Sequence, residues 1–203
     1  MIHPTAIVES AHVGARTRVW AFTHVLGGAS IGRDCNIGGH CYIEDGAEIG
    51  DAVTVKNGTS VWSGVTLEEG VFVGPAVVFT NDRVPRSPRL GVTGARYDSP
   101  SNWLARTRVR RGATLGAGAV LVAGVTVGEF GMVGAGSVVI ADVAAHELVV
   151  GNPARPIGWV CRCGRRLKPR DGRATCEGCA ARFEHDGGGV LRPASEPPSW
   201  AGA

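Results

Sequence analysis

The chain has 203 residues, of which 44% are hydrophobic and 19% charged, the composition of a folded protein rather than a disordered one. Its formal charge of +3 is too small to indicate nucleic-acid binding, and no apolar run reaches the ~18 residues of a membrane span. The start has no signal-peptide pattern, so we expect a cytoplasmic protein with reduced cysteines. The 31 glycines and 6% aromatic residues suit a solenoid, in which each turn packs only on its neighbours.

An aliphatic residue or Phe recurs at every sixth position along most of the chain. A second column, small or β-branched, lies four residues after the first, beginning at Ala11 and Thr17. We expect the first column to point into the core and the second to fill the space beside it. A period of six fits neither an α-helix nor simple alternation, and it predicts a short strand and a corner, repeated three times in each coil of about eighteen residues. The first column consists of Ile7, Val13, Val19, Val25, Ile31, Ile37, Ile43, Ile49, Val55, Val61, Leu67, Val73 and Phe79, then Val109, Leu115, Leu121, Val127, Val133 and Val139.

Two segments depart from the repeat. Residues 85–108 interrupt it without a change of phase, and their Pro, Gly and Arg content predicts a loop that projects from one corner. After Val143 the stretch HELVVGNPARPIGW replaces the repeat, and we interpret it as the cap that a solenoid needs on its last coil. The β-helix domain is therefore predicted to span residues 1–158.

Four cysteines form a second predicted unit, residues 159–186. Two pairs about a dozen residues apart suit a structural Zn²⁺ with four thiolate ligands, although two disulfides or four free thiols would give the same spacing. These ligands are Cys161, Cys163, Cys176 and Cys179. The Pro- and Ser-rich remainder, residues 187–203, is predicted to be disordered.

Three stretches resemble bacterial 3-N-acetyltransferases of nucleotide-linked amino sugars. They are FTNDRVPRS at 79–87, RRGATLGAGAVL at 110–121 and VVGNPARPIGW at 149–159. The resemblance covers residues 1–160. It implies a left-handed parallel β-helix, a homotrimer with substrates in the clefts between subunits, and acetyl transfer from acetyl-CoA to a dTDP- or UDP-linked 3-amino sugar. It also implies direct attack by the amine, with the departing CoA sulfur taking the proton.

The coil length predicts a polar column at the corner where the loop leaves. Steps of eighteen place Asp45, Ser63 and Asn81 above one another at about the 4.8 Å spacing of paired strands. Corners are often polar simply because they face water. With the resemblance, we expect Asn81 to hold the substrate amine, and Asp82 to contact the sugar or fix Asn81. We place Arg86 with Asp45 and Ser63 among the substrate-binding residues.

A histidine base is an alternative to direct attack, because other hexapeptide acetyltransferases use one. His24 and His40 lie on the β-helix and could act as bases, and we place His24 among the catalytic residues. For acetyl-CoA, Gly116, Ala117 and Ala135 are small enough for a close approach of the pantetheine arm.

Three arginines are candidates for the CoA phosphates: Arg110, Arg111 and Arg155. A hexapeptide acyltransferase with another amine or alcohol acceptor, or a non-catalytic β-helix scaffold, remain the alternative functions.

Overall fold

The computed structural model describes residues 1–195, in which strands are short and the helices are two 3₁₀ segments, Gly91–Asp98 and Pro100–Asn102. No helix in these residues is long and apolar enough to cross a bilayer. The strands are β1 (Ile7–Val8), β2 (Arg18–Val19), β3 (His24–Val25), β4 (Ser30–Ile31), β5 (Asn36–Ile37), β6 (Tyr42–Ile43), β7 (Glu48–Ile49), β8 (Thr54–Val55), β9 (Ser60–Val61), β10 (Val65–Leu67), β11 (Phe72–Val73), β12 (Val78–Phe79), β13 (Thr107–Val109), β14 (Thr114–Leu115), β15 (Val120–Leu121), β16 (Thr126–Val127), β17 (Met132–Val133), β18 (Val138–Val139), β19 (Glu147–Val150), β20 (Arg155–Val160), β21 (Arg166–Leu167), β22 (Arg173–Thr175), β23 (Arg182–His185) and β24 (Leu191–Pro193).

Three parallel sheets form the sides of a prism. Face A contains β2, β5, β8, β11, β14, β17 and β19; face B contains β1, β3, β6, β9, β12, β15 and β18; face C contains β4, β7, β10, β13 and β16. The chain passes from face C to A at corner I, from A to B at corner II, and from B to C at corner III. The prediction of a parallel β-helix of hexapeptide repeats is confirmed.

The inward columns of the repeat form the core. From Val19 onward, the first column is buried as predicted, and the small residues of the second column fill the space beside it. Buried threonines of that column donate to backbone carbonyls of the next coil, as Thr23 Oγ1 does to Gly38 O at 2.6 Å. A polar side chain is therefore tolerated in the core because it has a hydrogen-bond partner.

The first coil departs from the predicted phase. Ile7 is 58% exposed, because it pairs with His24 while Val8 pairs with Val25. Ser10 is buried where Ala11 was expected, and its hydroxyl donates to Ala29 O at 2.6 Å. The prediction that Ile7 and Ala11 point inward is wrong, since this coil is one residue shorter than those that follow.

The insertion leaves the β-helix at corner III, between β12 and β13. It is not structureless, because both 3₁₀ helices lie within it, with a kink at Gly94 (φ 51°). Asp82 forms an isolated bridge with Leu104, which closes the base of the insertion. Strand β13 begins at Thr107, so the last two residues of the predicted loop belong to face C.

The C-terminal segments form a cap and a small module. Strand β19 continues face A in parallel with β17, and β20 returns antiparallel to it, followed by β21. Strands β22, β23 and β24 form an antiparallel sheet with its own core. Leu191 in β24 is fully buried. The prediction that residues 187–203 are disordered is therefore wrong for residues 191–193, which form β24. Residues 196–203 of that predicted tail lie outside the described residues.

Candidate functional site

The polar column predicted at corner III has the expected stacking. Asn81 Nδ2 donates to Ser63 O at 3.4 Å, one coil below. Asp45 Oδ1 accepts a hydrogen bond from Gly28 N at 2.7 Å. This bond ties the Asp45 carboxylate to the same corner of the preceding coil. The Ser63 amide donates to Glu44 Oε2 at 2.8 Å. Glu44 is a further acid of this corner that the sequence did not indicate.

Asn81 lies where the insertion leaves and re-enters the β-helix. Its carbonyl accepts a hydrogen bond from Ala105 N at 2.9 Å, so the two ends of the insertion meet there. The bond from Nδ2 to Ser63 leaves Oδ1 as the available acceptor of the half-buried side chain. An amine can donate to an acceptor fixed in this way.

Asp82 holds the insertion in place. Its carboxylate accepts hydrogen bonds from Arg96, from Tyr97 Oη at 2.9 Å and from the Val84 amide at 2.9 Å. Burial raises the pKa of Asp82, but these bonds outweigh it and lower the pKa below its usual value, so the group is ionised. Arg96 and Tyr97 could not be identified from the sequence, because both lie in the segment predicted as a loop.

Arg86 is exposed on the same insertion. Its guanidinium Nη1 donates to Pro85 O at 3.0 Å, the neighbouring residue. Its backbone amide donates to Tyr97 Oη at 3.0 Å, so the residue is tied to the group that binds Asp82. The side chain remains accessible to an anionic substrate group.

His24 does not lie beside Asn81 in the same chain. It belongs to face B, where it is in register with Tyr42, Ser60 and Val78 on the following coils. The coil of His24 is therefore three strand spacings, about 14 Å, from the coil of Asn81. Its Nε2 lies 2.8 Å from a carboxylate oxygen of Glu9.

The candidate CoA residues lie at the other two corners, except for Arg155, which begins strand β20 of the cap. Gly116, Ala117 and Ala135 are at corner II, where a Cβ at Gly116 would collide with the backbone of Ala135. Glycine at this position is thus required for the stacking of coils. Ala117 and Ala135 are exposed at this edge, and their side chains are small.

The three arginines differ in their surroundings. Arg110 and Arg155 are exposed, whereas Arg111 is half-buried at corner I. Arg111 Nη2 lies 3.4 Å from Glu129 Oε2, and its guanidinium carbon lies 5.9 Å from the centre of the Phe130 ring. Arg111 is therefore already engaged within the chain, and no single corner gathers all of the candidate residues.

The four predicted metal ligands do come together. The sulfur atoms of Cys161, Cys163, Cys176 and Cys179 all lie within 4.8 Å of one another. The Cys161–Cys179 and Cys163–Cys176 separations are 3.4 and 3.5 Å, too long for disulfides and close to the ~3.8 Å edge of a tetrahedron with Zn–S bonds of about 2.3 Å.

The sulfur atoms also have the supporting contacts of a metal site. The Gly178 amide lies 3.4 Å from Cys176 Sγ. Burial raises the pKa of Cys176, but hydrogen bonds from Gly178, Cys179 and the neighbouring sulfurs lower it to about 7. The donor set thus fits a structural Zn²⁺.

A β-helix of hexapeptide coils with a polar corner and a projecting insertion fits the class of hexapeptide acyltransferases that the sequence motifs indicated. The family described as bacterial transferase hexapeptide (six repeats) matches residues 10–45, and the hexapeptide repeat of succinyl-transferase matches residues 28–63. The chain is 48% identical over 187 residues, 92% of both chains, to dTDP-3-amino-3,6-dideoxy-alpha-D-galactopyranose 3-N-acetyltransferase of Aneurinibacillus thermoaerophilus. The chain belongs to the hexapeptide-repeat acetyltransferases, as the FTND and VVGNPAR motifs predicted.

Two solved structures that match this chain have lower sequence identity to it. The acetyltransferase domain of PglB from Neisseria gonorrhoeae is 24% identical, with a TM-score of 0.49 over 77% of this chain and 57% of that chain. The N-acyltransferase AntD of Bacillus cereus, solved with dTDP and coenzyme A, is 16% identical, with a TM-score of 0.49 over 80% and 81% of the two chains.

Proposed function

We propose that this enzyme transfers the acetyl group of acetyl-CoA to the 3-amino group of a dTDP-linked amino sugar. The observation that carries the proposal is the 48% identity to an enzyme whose name states this reaction, over 92% of both chains. The motif FTND lies within the shared length, and it places Asn81 at the base of the insertion.

The chemistry needs an uncharged amine held against the thioester. A sugar amine with a pKa near 8, the value of an α-amino group, has a lone pair in a useful fraction of molecules at neutral pH. The nitrogen attacks the thioester carbonyl, and the tetrahedral intermediate then expels the CoA thiolate, which takes the proton that the nitrogen loses. Positioning therefore accounts for much of the rate.

Asn81 is the group that we assign to this positioning. Its Oδ1 accepts a hydrogen bond from the amine, while its Nδ2 is held by Ser63 O. Asp82 acts indirectly, because its carboxylate anchors Arg96 and Tyr97 and so fixes the insertion above Asn81. Arg86, exposed on that insertion, is placed to contact the diphosphate of the substrate.

The active assembly in this proposal is a homotrimer in the cytoplasm. The amine-holding residue lies at corner III and the proposed pantetheine edge at corner II, so that a neighbouring subunit is needed to bring the two together. Face B also exposes apolar side chains to solvent in the single chain: Val78 is 47% and Ile140 51% exposed. A second subunit can cover such a surface.

Zinc has a structural role in this proposal. The four-cysteine module, residues 161–193, has a small core of its own, and a metal bound by four thiolates stabilises a unit of this size. The cysteines lie beyond the cap of the β-helix, and the acetyl-transfer step does not involve them.

An acetylation assay tests the proposed function. The purified protein is given acetyl-CoA with dTDP-3-amino-3,6-dideoxygalactose, the UDP-linked counterpart, or the free amino sugar, and CoA thiol release and product mass are followed. We expect N-acetylation of the dTDP-linked sugar and much slower reaction of the other two. Equal turnover of the free sugar, or transfer only to an alcohol, would contradict the proposal.

A further inference from the structure

A cleft at corner II of the first coils is not used by the proposed mechanism. It has a volume of about 510 Å³, and Gly38 and Gly39 are among the residues that line it. We call it the aromatic cleft, and the residues that characterise it are Trp20, Phe22, His40, Asn36, Lys56 and Asn57.

Two aromatic residues occupy successive turns beside this cleft. Phe22 and His40 have left-handed backbone angles, φ 60° and 57°, a conformation that is costly for residues of this size. Their rings stack with centroids 5.0 Å apart and planes inclined by 30°. Phe22 is 60% exposed, so this pair presents a flat apolar surface to solvent instead of contributing to the core.

The same arrangement occurs once more in the described chain, where it is covered. Phe130 and His146 also have left-handed angles, φ 54° and 62°, and their rings lie 5.3 Å apart. There the ring of Phe183 packs against His146 at 5.0 Å, and all three residues are buried. The molecule itself thus shows that an aromatic pair of this geometry can receive a third aromatic ring.

The polar groups of the aromatic cleft indicate which ring it takes. Lys56 supplies a positive charge, and none of the described residues that line the cleft is acidic. Asn36 Oδ1 accepts a hydrogen bond from Trp20 Nε1 at 2.7 Å, which leaves its amide group as a donor. The exposed amide of Asn57 can both donate and accept. Such a set suits a planar heterocycle that carries a phosphate.

We propose that the aromatic cleft binds the nucleobase and the adjoining phosphate of the nucleotide-linked substrate. The base stacks on Phe22 and His40, and Lys56 contacts the phosphate. This inference rests on the proposed function, since it assigns the nucleotide end of the same substrate.

The coil register is consistent with one substrate reaching both places. Asn57 lies one coil from Asn81, because it precedes Ser60, and Ser60 pairs with Val78 just before Asn81. Phe22 lies three coils from Asn81, because it precedes His24, which is three strands from Val78 on face B. The axial separation is therefore about 5 to 14 Å, a distance that a diphosphate bridge between a base and a sugar can span. Trp20, Asn36 and Lys56 lie in or directly after strands of face A, whereas Asn81 lies at corner III between faces B and C. The Asn81 that meets this substrate therefore belongs to a neighbouring subunit of the proposed trimer.

The test measures binding of dTDP, without sugar or acetyl-CoA, by quenching of tryptophan fluorescence and by calorimetry. Phe22→Asn and His40→Asn remove one ring each, and asparagine tolerates the left-handed backbone. Ala52→Asn is the matched control, because Ala52 has φ 56° at a corner outside the cleft. We expect the two cleft variants to bind dTDP roughly tenfold more weakly, the size of a lost stacking contact, and the control to bind as the wild type does.

The failures can be told apart. If the wild type acetylates the dTDP-linked sugar but both cleft variants keep its affinity for dTDP, the cleft assignment is wrong and the proposed function stands. If the wild type neither binds dTDP nor acetylates the sugar, both are wrong. If a second copy of the chain occupies the cleft, the variants should have a lower mass than the wild type by light scattering and an unchanged affinity for dTDP. That result would also overturn the assignment.

Discussion

The ring of Phe183 packs edge-on against the imidazole of His146, with centroids 5.0 Å apart and planes at 76°. Phe183 belongs to β23 of the four-cysteine module, and His146 lies in the last corner of the β-helix. His146 Nδ1 also lies 2.9 Å from Val160 O, so the neutral imidazole donates there. One buried histidine therefore joins the module to the β-helix.

We expect this junction to weaken in acid. Burial lowers the pKa of His146 below 6.5, so the undocked state binds a proton more readily than the docked state. The contribution of His146 to docking is thus complete above pH 6.5 and is lost as the pH falls through the lower, docked value. The fluorescence of Trp159, which packs on the module core, and hydrogen exchange of β22 to β24 should report release at acidic pH.

His146→Asn is the control for this effect, because asparagine tolerates the left-handed backbone and does not titrate. In this variant the four-cysteine module should dock on the β-helix more weakly than in the wild type at every pH. The strength of docking should stay constant between about pH 7.5 and 5, the range in which a histidine titrates. An equal response to pH in the variant and the wild type would assign the effect to other groups, such as the metal-binding thiolates, which compete with protons for Zn²⁺.

Loss of metal should release the module and leave the β-helix folded. Cys176→Ser should reduce bound zinc from about one per chain to near zero, because three thiolates hold Zn²⁺ less tightly than four. Elemental analysis measures the metal, and calorimetry should show the main unfolding transition unchanged. Cys35→Ser is a useful comparison, since Cys35 is a buried core residue and its change should lower the main transition but not the zinc content.

Asn81→Ala should lower kcat/KM for the amino sugar by roughly 10²–10³-fold, the size of losing a key polar contact in the transition state. Binding of acetyl-CoA should change little.

His24→Ala should retain activity if the thiolate accepts the proton, and the rate should rise with pH near 8 as the amine loses its proton. A loss of more than ~10⁴-fold in His24→Ala, with both substrates bound, would identify that histidine as the base.

Asp82→Asn should loosen the insertion, because Arg96 and Tyr97 lose their ionised partner. We expect faster trypsin cleavage at Arg86 and Arg89 and a KM for the sugar raised by roughly tenfold, the effect of about 1.4 kcal/mol from a partly buried charged hydrogen bond. The β-helix should melt as before.

Glu177→Gln provides the comparison for Asp82. Its partner Lys168 lies 3.6 Å away, and both side chains are more than three-quarters exposed. Removal of this ion pair should change neither proteolysis nor KM. If Asp82→Asn behaves in the same way, the anchoring role is wrong.

The repeat made most of the fold predictable, because each coil imposes the same two constraints on the sequence. A core position needs an aliphatic side chain, and the position four later needs a small one, so that the columns from Val19 to Val139 could be followed by counting. Counting failed at Ile7, where one residue fewer in the coil moved Val8 inward. The sixfold period contains no signal for such a change of length.

The site was less predictable, because its residues belong to different corners and to the insertion. The stacking of Asn81 on Ser63 followed from the coil length. The partners of Asp82 did not, since Arg96 and Tyr97 reach it through an irregular segment. The same step of eighteen residues places Phe22 and His40 on neighbouring coils, but the sequence contains no signal that their rings would form an exposed pair on left-handed backbone.

The most direct test of the central claim is steady-state acetylation of dTDP-3-amino-3,6-dideoxygalactose by the wild type and Asn81→Ala, with product mass spectrometry. We predict N-acetylation of the sugar by the wild type, with the stated loss in the variant and no change in its affinity for acetyl-CoA. A wild type that binds acetyl-CoA but never acetylates a nucleotide-linked amino sugar would contradict the account, as would an Asn81→Ala variant of full activity.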